Sequence, residues 1–380
     1  MQNIPPERLR KLRTWTHTKK ACELKGIGES GKKITLLDLA SNDYLGLSKH
    51  PKLIEAASKI MPVDGVGAGA SRLVTGSRPI HKELERNLAD WLGKESVLLF
   101  PSGFQANLAA VLALADRSTT VIADRLIHHS LLIGVKASGA KLKRFGHNDL
   151  DDLERHLKLC SSKNNQRKSL VLTESLFSME GTSPPLKIMA RLCEEHGVQL
   201  FVDEAHALGI LGSQGRGLCH EISEPITLLS GTFGKAFGSS GAFLASSKSM
   251  REHLLQTCGA FRYSTALAPP LTAAALAALE LINENETWGI ELQKRANNWR
   301  SRLSQAGWLR PPGHGPILPL VIGNDQQAIF YQNQLEREGL LSIAIRPPTV
   351  PEGTSRLRLI VRRDLPEGTL ERLINVLGAS

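Results

Sequence analysis

No CxxC pair, no run of about 18 apolar residues and no Gly-x-x-x-x-Gly-Lys-Ser/Thr loop occurs in this sequence. Each absence removes a class of protein. The five cysteines (Cys22, Cys160, Cys193, Cys219 and Cys258) are odd in number and dispersed, which argues against a disulfide framework and a structural zinc site. They are expected as buried apolar residues in a reducing compartment. Without a long apolar run there is no candidate membrane span. The basic start, MQNIPPERLRKLRTWTHTKK, lacks the apolar stretch of a secretory signal, so a cytoplasmic location is expected. Without the phosphate-cradling loop, a P-loop nucleotide-binding protein is disfavoured.

What is present is ordinary in bulk and specific in detail. A chain of 380 residues exceeds one simple core and predicts two or three packed units. Hydrophobic residues make up 41% and charged residues 22%, as in soluble globular proteins. The formal charge of +10 raises nucleic-acid binding as an alternative. Lys and Arg are spread along the chain, however, and no helix-turn-helix or zinc-finger pattern appears. A substrate with several phosphates, such as a coenzyme A thioester, suits the same positive field.

Residues 1 to about 40 read as a helix followed by a short strand, Ile34 to Leu39. From about residue 80, helical periodicity alternates with short apolar runs. Helices are expected at His81 to Leu92, Gln105 to Ala115, Ser130 to Ser138 and Leu186 to Gly197, where Gly197 is the stop. Strands are expected at Ser96 to Phe100, Thr120 to Ala123, Ser169 to Thr173 and Val198 to Val202. This alternation predicts an α/β fold with a mostly parallel sheet covered on both faces. A long Ala/Leu-rich helix, Pro270 to Glu286, follows Pro269. Beyond about residue 290 come a helix from Glu291 to Gln305, strands near Ile317 to Val321, Leu341 to Ile345 and Ser355 to Val361, and a last helix from Leu365. These read as a smaller C-terminal α+β unit. The expected division is 1–45 as an N-terminal segment, 46–285 as a large domain and 286–380 as a small domain.

The stretch from Thr227 to Gly241, TLLSGTFGKAFGSSG, sets Lys235 among small residues after the hydroxyls of Ser230 and Thr232. Small neighbours permit close backbone approach to a ligand, and a lysine favoured in its neutral form is a nucleophile toward aldehydes. Taken alone, such a lysine is more often a surface residue in a glycine-rich loop. Asp203 and His206, in LFVDEAHALG, follow an apolar strand whose C-terminal end is where open α/β sheets bind ligands. Asp203 is suited to a protonated pyridine nitrogen and His206 to a ring hydroxyl. A structural capping carboxylate or a metal pair are the plainer readings. Gly103 and Phe104, in SGFQAN, lie between strand and helix and offer backbone N–H groups to a phosphate, although ordinary turns share this form. His128, in DRLIH, follows another strand and is placed to stack on a ring; it is also one of twelve histidines.

These pieces in this order resemble the α-oxoamine synthases, of fold type I among pyridoxal-phosphate enzymes. The resemblance is carried by SNDYLGL (Ser41 to Leu47), ADRLIHHSLL (Ala123 to Leu132), SLFSMEG (Ser175 to Gly181) and VDEAHALG (Val202 to Gly209). It continues through GRG (Gly215 to Gly217), TFGKAFG (Thr232 to Gly238) and IRPPTVPEGTSRLRL (Ile345 to Leu359), about nine tenths of the chain in all. It implies a large domain with a mostly parallel, seven-stranded sheet plus a smaller C-terminal α+β domain. It also implies pyridoxal 5′-phosphate as cofactor and a homodimer with shared active sites, with Tyr263 to Thr265 contributing to the partner's phosphate site. The implied reaction is an acyl transfer that joins an amino acid to a thioester with loss of CO2.

Residue by residue, the resemblance makes Lys235 the cofactor-bearing amine and catalytic base, Asp203 the partner of the ring nitrogen and His206 that of the ring oxygen. His128 stacks over the ring and is a catalytic candidate. Gly103, Phe104, Ser178 and Thr232 match cofactor-binding positions. Asn42 and Arg358 match positions near the substrate carboxylate, and Thr349 one near the acyl substrate. Family members also set an N-terminal arginine against that substrate; Arg10 and Arg13 are both available, and Arg13 is the candidate carried forward. Glu204 and Ala207 depart mildly from the family pattern, which often has Asp and Gly or Ser there. The run IRPPTVP looks most like members that use L-alanine with pimeloyl-CoA or pimeloyl-ACP. Members that use glycine with a short acyl-CoA are the alternative, since excluding one methyl is worth only about 1–3 kcal/mol. No metal, nucleic acid or membrane partner is implied.

Overall fold

The computed structural model describes residues 4–28, 31–160 and 168–378. By internal contacts the chain divides into two compact units. One comprises Pro51–Phe177 and Ser183–Gly289; the other comprises Met1–His50, Ser178–Thr182 and Ile290–Ser380.

The first unit is built on seven strands: β1 (Ser96–Phe100), β2 (Thr120–Asp124), β3 (Lys141–Phe145), β4 (Ser169–Glu174), β5 (Gln199–Asp203), β6 (Leu228–Thr232) and β7 (Ala242–Ser246). Their order across the sheet is β1-β7-β6-β5-β4-β2-β3. Only β7 runs antiparallel to its neighbours, pairing with β1 and β6; the remaining pairs are parallel. The interior strands TVIAD and AFLAS, and the edge strand SVLLF, are buried throughout, as continuous apolar runs must be when both faces are covered. The edge strand β3, KLKRF, buries only Phe145, and its exposed basic side chains discourage pairing with another chain. One face of the sheet packs against the helices Gly103–Leu114 and His129–Ser138, with Ala106, Ala110, Leu131 and Val135 in the shared core.

The helix Pro269–Glu284 carries prolines at its first two positions, where no N–H is needed. Against it packs a helix, Pro51–Asp64, that the sequence reading did not anticipate. Leu186–Glu195 ends before Gly197, whose φ of 63° supplies the stop.

In the second unit the expected N-terminal helix is replaced by strands. Pro6–Arg8 is a single 3-10 turn, and Trp15–His17, Glu23–Ile27 and Lys33–Asp38 form an antiparallel sheet. Leu340–Leu341 adds to that sheet in parallel with Leu37 and Asp38. Burial of Leu24, Leu36 and Leu341 against Trp15 and Ile34 decides the matter, and a helix would scatter those side chains. A second, antiparallel sheet has Ser355–Ile360 between Ile317–Gly323 and Ile343–Ile345. The single strand expected at Leu341 to Ile345 is therefore two, and the chain changes sheets at the buried Ser342.

Candidate active site

Four parallel strands end in a polar residue: Asp124 on β2, Glu174 on β4, Asp203 on β5 and Thr232 on β6. Three of these, Glu174, Asp203 and Thr232, line one cavity of about 180 Å³. Asp124 turns elsewhere, to the ring of His147 at 3.1 Å and the N–H of Asn148 at 2.9 Å. The cavity therefore lies at the carboxyl ends of the strands, where this class of sheet presents its ligand site.

The remaining lining comes from loops that leave the same edge. Gly103, Phe104 and Asn107 lie in the first turns of the helix after β1; His128, His206 and Lys235 follow β2, β5 and β6. Ser102 caps that helix by accepting from the Gln105 N–H at 3.3 Å, which leaves the first-turn N–H groups of Gly103 and Phe104 without helical acceptors. The N-terminal end of the helix dipole reinforces them as an anion site. A methyl added at Gly103 would meet nothing closer than Thr232 Oγ1, at 3.7 Å. The protein's own packing therefore does not demand glycine there.

Asp203 is buried and anchored. Its Oδ2 accepts from Asn107 Nδ2 at 2.7 Å, and its Oδ1 from the Ala205 N–H at 2.9 Å. Both donors hold the carboxyl group in place beside the cavity. His128 caps the helix His129–Ser138, its Nδ1 accepting from the Ser130 N–H at 3.3 Å. Burial holds the imidazole below its ordinary pKa against the opposing pull of Asp203, with Lys235 adding to the depression, so the neutral ring prevails near neutral pH. The Thr232 hydroxyl donates to the Gly241 carbonyl at 3.0 Å and accepts from the Gly234 N–H at 3.3 Å. To donate to a phosphate it must turn away from Gly241.

An anion-binding helix start, a fixed carboxylate, two imidazoles and an amine suit pyridoxal 5′-phosphate, whose phosphate, ring nitrogen, ring oxygen and aldehyde need those partners. Seven of the expected residues, Gly103, Phe104, His128, Asp203, His206, Thr232 and Lys235, line this one cavity. Asn107, Glu174 and Ala205 line it as well and were not anticipated. A signal for Asn107 existed, since it lies one helical turn after Gly103 and so shares its face. Glu174, like Asp203, is an acid closing an apolar strand.

The other expected residues belong to the second unit. Arg358 donates through Nε to the Ser178 carbonyl at 2.6 Å and through Nη2 to Asn42 Oδ1 at 2.9 Å. Arg10 Nη2 meets Thr349 Oγ1 at 2.9 Å. Arg13 is engaged differently: it makes a bidentate pair with Glu336, at 2.6 and 2.8 Å, and stacks on Trp15 at 4.5 Å.

The family model described as aminotransferase class I and II matches residues 34–377. The 8-amino-7-oxononanoate synthase of Alkalilimnicola ehrlichii is 41% identical over 348 residues, which cover 90% of this chain and 88% of that protein. That of Marinobacter nauticus is 38% identical over 349 residues, covering 91% and 87%. Among solved structures, the Sphingomonas wittichii serine palmitoyltransferase is similar with a TM-score of 0.89 at 26% identity, over 96% of this chain and 90% of that one. The 8-amino-7-oxononanoate synthase from Francisella tularensis is similar with a TM-score of 0.76 at 25% identity, over 90% and 96%. With the family model across residues 34–377 and curated relatives near 40% identity across nine tenths of its length, the chain belongs to the aminotransferase class I and II family and, within it, to the 8-amino-7-oxononanoate synthase group.

Proposed function

We propose that this chain condenses L-alanine with a pimeloyl thioester, on coenzyme A or a carrier protein, to 8-amino-7-oxononanoate, CO2 and free thiol in biotin biosynthesis. One observation carries the reading: the amine of Lys235, the carboxylate of Asp203 and the imidazole of His128 line a single cavity at the strand ends. The names of the relatives support alanine and pimeloyl over the glycine alternative.

Pyridoxal 5′-phosphate, when bound, supplies an aldehyde that condenses with amines and a ring that withdraws electrons from the bonds at Cα. Lys235 is the amine that would hold it, Asp203 would face its ring nitrogen and His206 its ring oxygen. The N–H groups of Gly103 and Phe104 and the hydroxyl of Thr232 would take its phosphate, with Ser178 a further candidate.

Lys235, as a free amine, removes the Cα proton of alanine and later returns a proton to the same carbon. The carbon–carbon bond forms at the thioester carbonyl as the carbon–sulfur bond breaks, and the thiol leaves. His128 donates a hydrogen bond from Nε2 to the carbonyl oxygen while negative charge grows there. The carboxyl group then departs as CO2. Arg358 and Asn42 are assigned to alanine's carboxylate, and Thr349 to the acyl substrate. Of the two N-terminal arginines, Arg10 is assigned beside Thr349, because Arg13 already pairs with Glu336.

A homodimer fits the exposed apolar residues Val63, Val66, Leu73 and Val74 and the half-exposed Phe104. Five free cysteines suit a cytoplasmic location. Among the described residues, no helix is long and apolar enough to cross a membrane.

The test is the visible spectrum of the purified protein, followed by L-alanine or glycine, each with and without pimeloyl-CoA. A cofactor band that shifts with alanine, with thiol release that requires both substrates, is the expected result. Release with glycine and a short acyl-CoA instead moves the assignment to the alternative. A protein that stays colourless with added pyridoxal phosphate, or a Lys235→Ala variant with near wild-type turnover, overturns the reading.

A further inference from the structure

Asn107 is a polar side chain on a helix whose neighbours Ala106, Ala109, Ala110 and Val111 are all core residues. Both hydrogens of its amide are in use. Nδ2 donates to Asp203 Oδ2 at 2.7 Å and to Ser130 Oγ at 2.9 Å. An ionised carboxylate only accepts, so nitrogen rather than oxygen must face Asp203, and the amide has one possible orientation.

Ser130 is fully buried. Its oxygen accepts from Asn107 and lies 2.7 Å from His128 Nδ1, a contact in which either atom can donate until a second donor to Nδ1 makes that nitrogen the acceptor. The Ser130 backbone N–H faces the same ring nitrogen at 3.3 Å, and an N–H can only donate. Two donors therefore converge on Nδ1. In the neutral ring the proton is then on Nε2.

We propose that Asn107 is a positioning residue for the reaction: one amide group aims the Asp203 carboxylate and, through the Ser130 hydroxyl, fixes His128 as its Nε2–H tautomer. The inference rests on the reaction assigned above for its purpose, but its geometry lies wholly in this side-chain chain. The opposite tautomer presents a lone pair at Nε2. Set against an acyl oxygen that is gaining charge, that lone pair repels instead of stabilising. A leucine fills much of the same space with neither hydrogen bond, so the helix can persist while the tautomer is released.

The experiment uses the full chain labelled with [15N]histidine, with and without pyridoxal phosphate, His128 being identified by the signals lost in His128→Gln. In the unsubstituted protein, Nε2 should carry the proton and Nδ1 should not. Asn107→Leu and Ser130→Ala should each move His128 toward the Nδ1–H form. They should lower kcat at least about tenfold and leave KM for alanine within about threefold. Ser130→Thr, which keeps the hydroxyl, should restore both the tautomer and kcat. The proposal is overturned by a protonated Nδ1 in the unsubstituted protein. It is equally overturned if the variants lose turnover with the tautomer unchanged. Should Asn107→Leu fail to fold, the unsubstituted spectrum and Ser130→Ala still decide. If the tautomer responds as expected but no thiol is released from pimeloyl-CoA by the unsubstituted protein, the substrate assignment fails and the positioning role stands.

Discussion

Asp203 and Glu204 are adjacent in the chain, yet their carboxylates face different partners. Asp203 Oδ2 accepts from Asn107 Nδ2 at 2.7 Å beside the cavity, whereas Glu204 Oε1 accepts from the Leu218 N–H at 2.8 Å and the Cys219 N–H at 3.3 Å. Glu204 is fully buried. The glycine at 217 follows from it: φ there is +88°, and a Cβ would lie 2.1 Å from Glu204 Oε2. The GRG motif is thus the bed on which a buried glutamate rests, and its glycine has a packing reason.

Burial pushes the Glu204 carboxyl up from an ordinary 4.5 to about 7. An acid that holds its proton more tightly when folded stabilises the fold at low pH. That contribution is lost as pH rises from about 4.5 through about 7. Across the window the loss is at most about 3 kcal/mol. Glu204→Gln keeps an oxygen for the Leu218 and Cys219 N–H groups and cannot ionise. Its melting temperature relative to the unsubstituted protein should therefore rise as pH goes from 4.5 to 8. A constant difference over that range contradicts the buried, titrating glutamate.

Asp203→Asn tests the opposite case. The amide can turn its oxygen to Asn107 and keep the fold, but the fixed negative charge is gone. Cofactor should still bind, while alanine- and pimeloyl-CoA-dependent thiol release should fall by a factor of about 100 or more. Turnover within about threefold of the unsubstituted protein would remove Asp203 from its assigned role.

Arg10 and Arg13 separate by a pair of substitutions. Arg13 holds Glu336 and covers Trp15, so Arg13→Ala should cost about 1 kcal/mol of stability with little change in KM for pimeloyl-CoA. Arg10 is exposed, and its Nη2 donates to the Thr349 hydroxyl at 2.9 Å. Arg10→Ala should leave the urea midpoint in place and raise that KM by about tenfold. The reverse pattern would return the acyl substrate to Arg13.

The parallel sheet was legible because a strand buried on both faces must be apolar along most of its length, as in TVIAD and QLFVD. The lysine loop was legible because Gly234 and Gly238 flank Lys235 with no side chain of their own. Asn107 and Glu174 were not. A polar residue within an apolar helix or strand does not say which distant carboxylate or histidine it will meet. Here the partners of Asn107 lie 23 and 96 residues away. Of the N-terminal strands, Lys33–Asp38 corresponds to the expected Ile34 to Leu39, whereas Trp15–His17 and Glu23–Ile27 were missed for a related reason. Glu23–Ile27 sits between Trp15–His17 and Lys33–Asp38, and a polar, basic run offers no local sign of those pairings.

Arg362 shows how such long-range order reaches the assigned substrate residues. Its guanidinium is wholly buried and donates to Asp38 at 2.7 Å, Asp43 at 3.2 Å, Asp364 at 3.0 Å and the Ser41 hydroxyl at 2.8 Å. Ser41 and Asp43 flank Asn42, so the same cation fixes the turn that offers Asn42 Oδ1 to Arg358. Removing it strands three carboxylates around one empty position. Arg362→Met should lower unfolding stability by about 3–5 kcal/mol, read as a shift in urea midpoint. Arg362→Lys keeps one charge but not the planar fork, and should recover only part of the loss. In the lysine variant KM for alanine should rise, because the turn under Asn42 is no longer held from both sides. If Arg362→Lys matched the unsubstituted protein in both midpoint and KM, a point charge would suffice, and the fork geometry would play no part in holding Asn42.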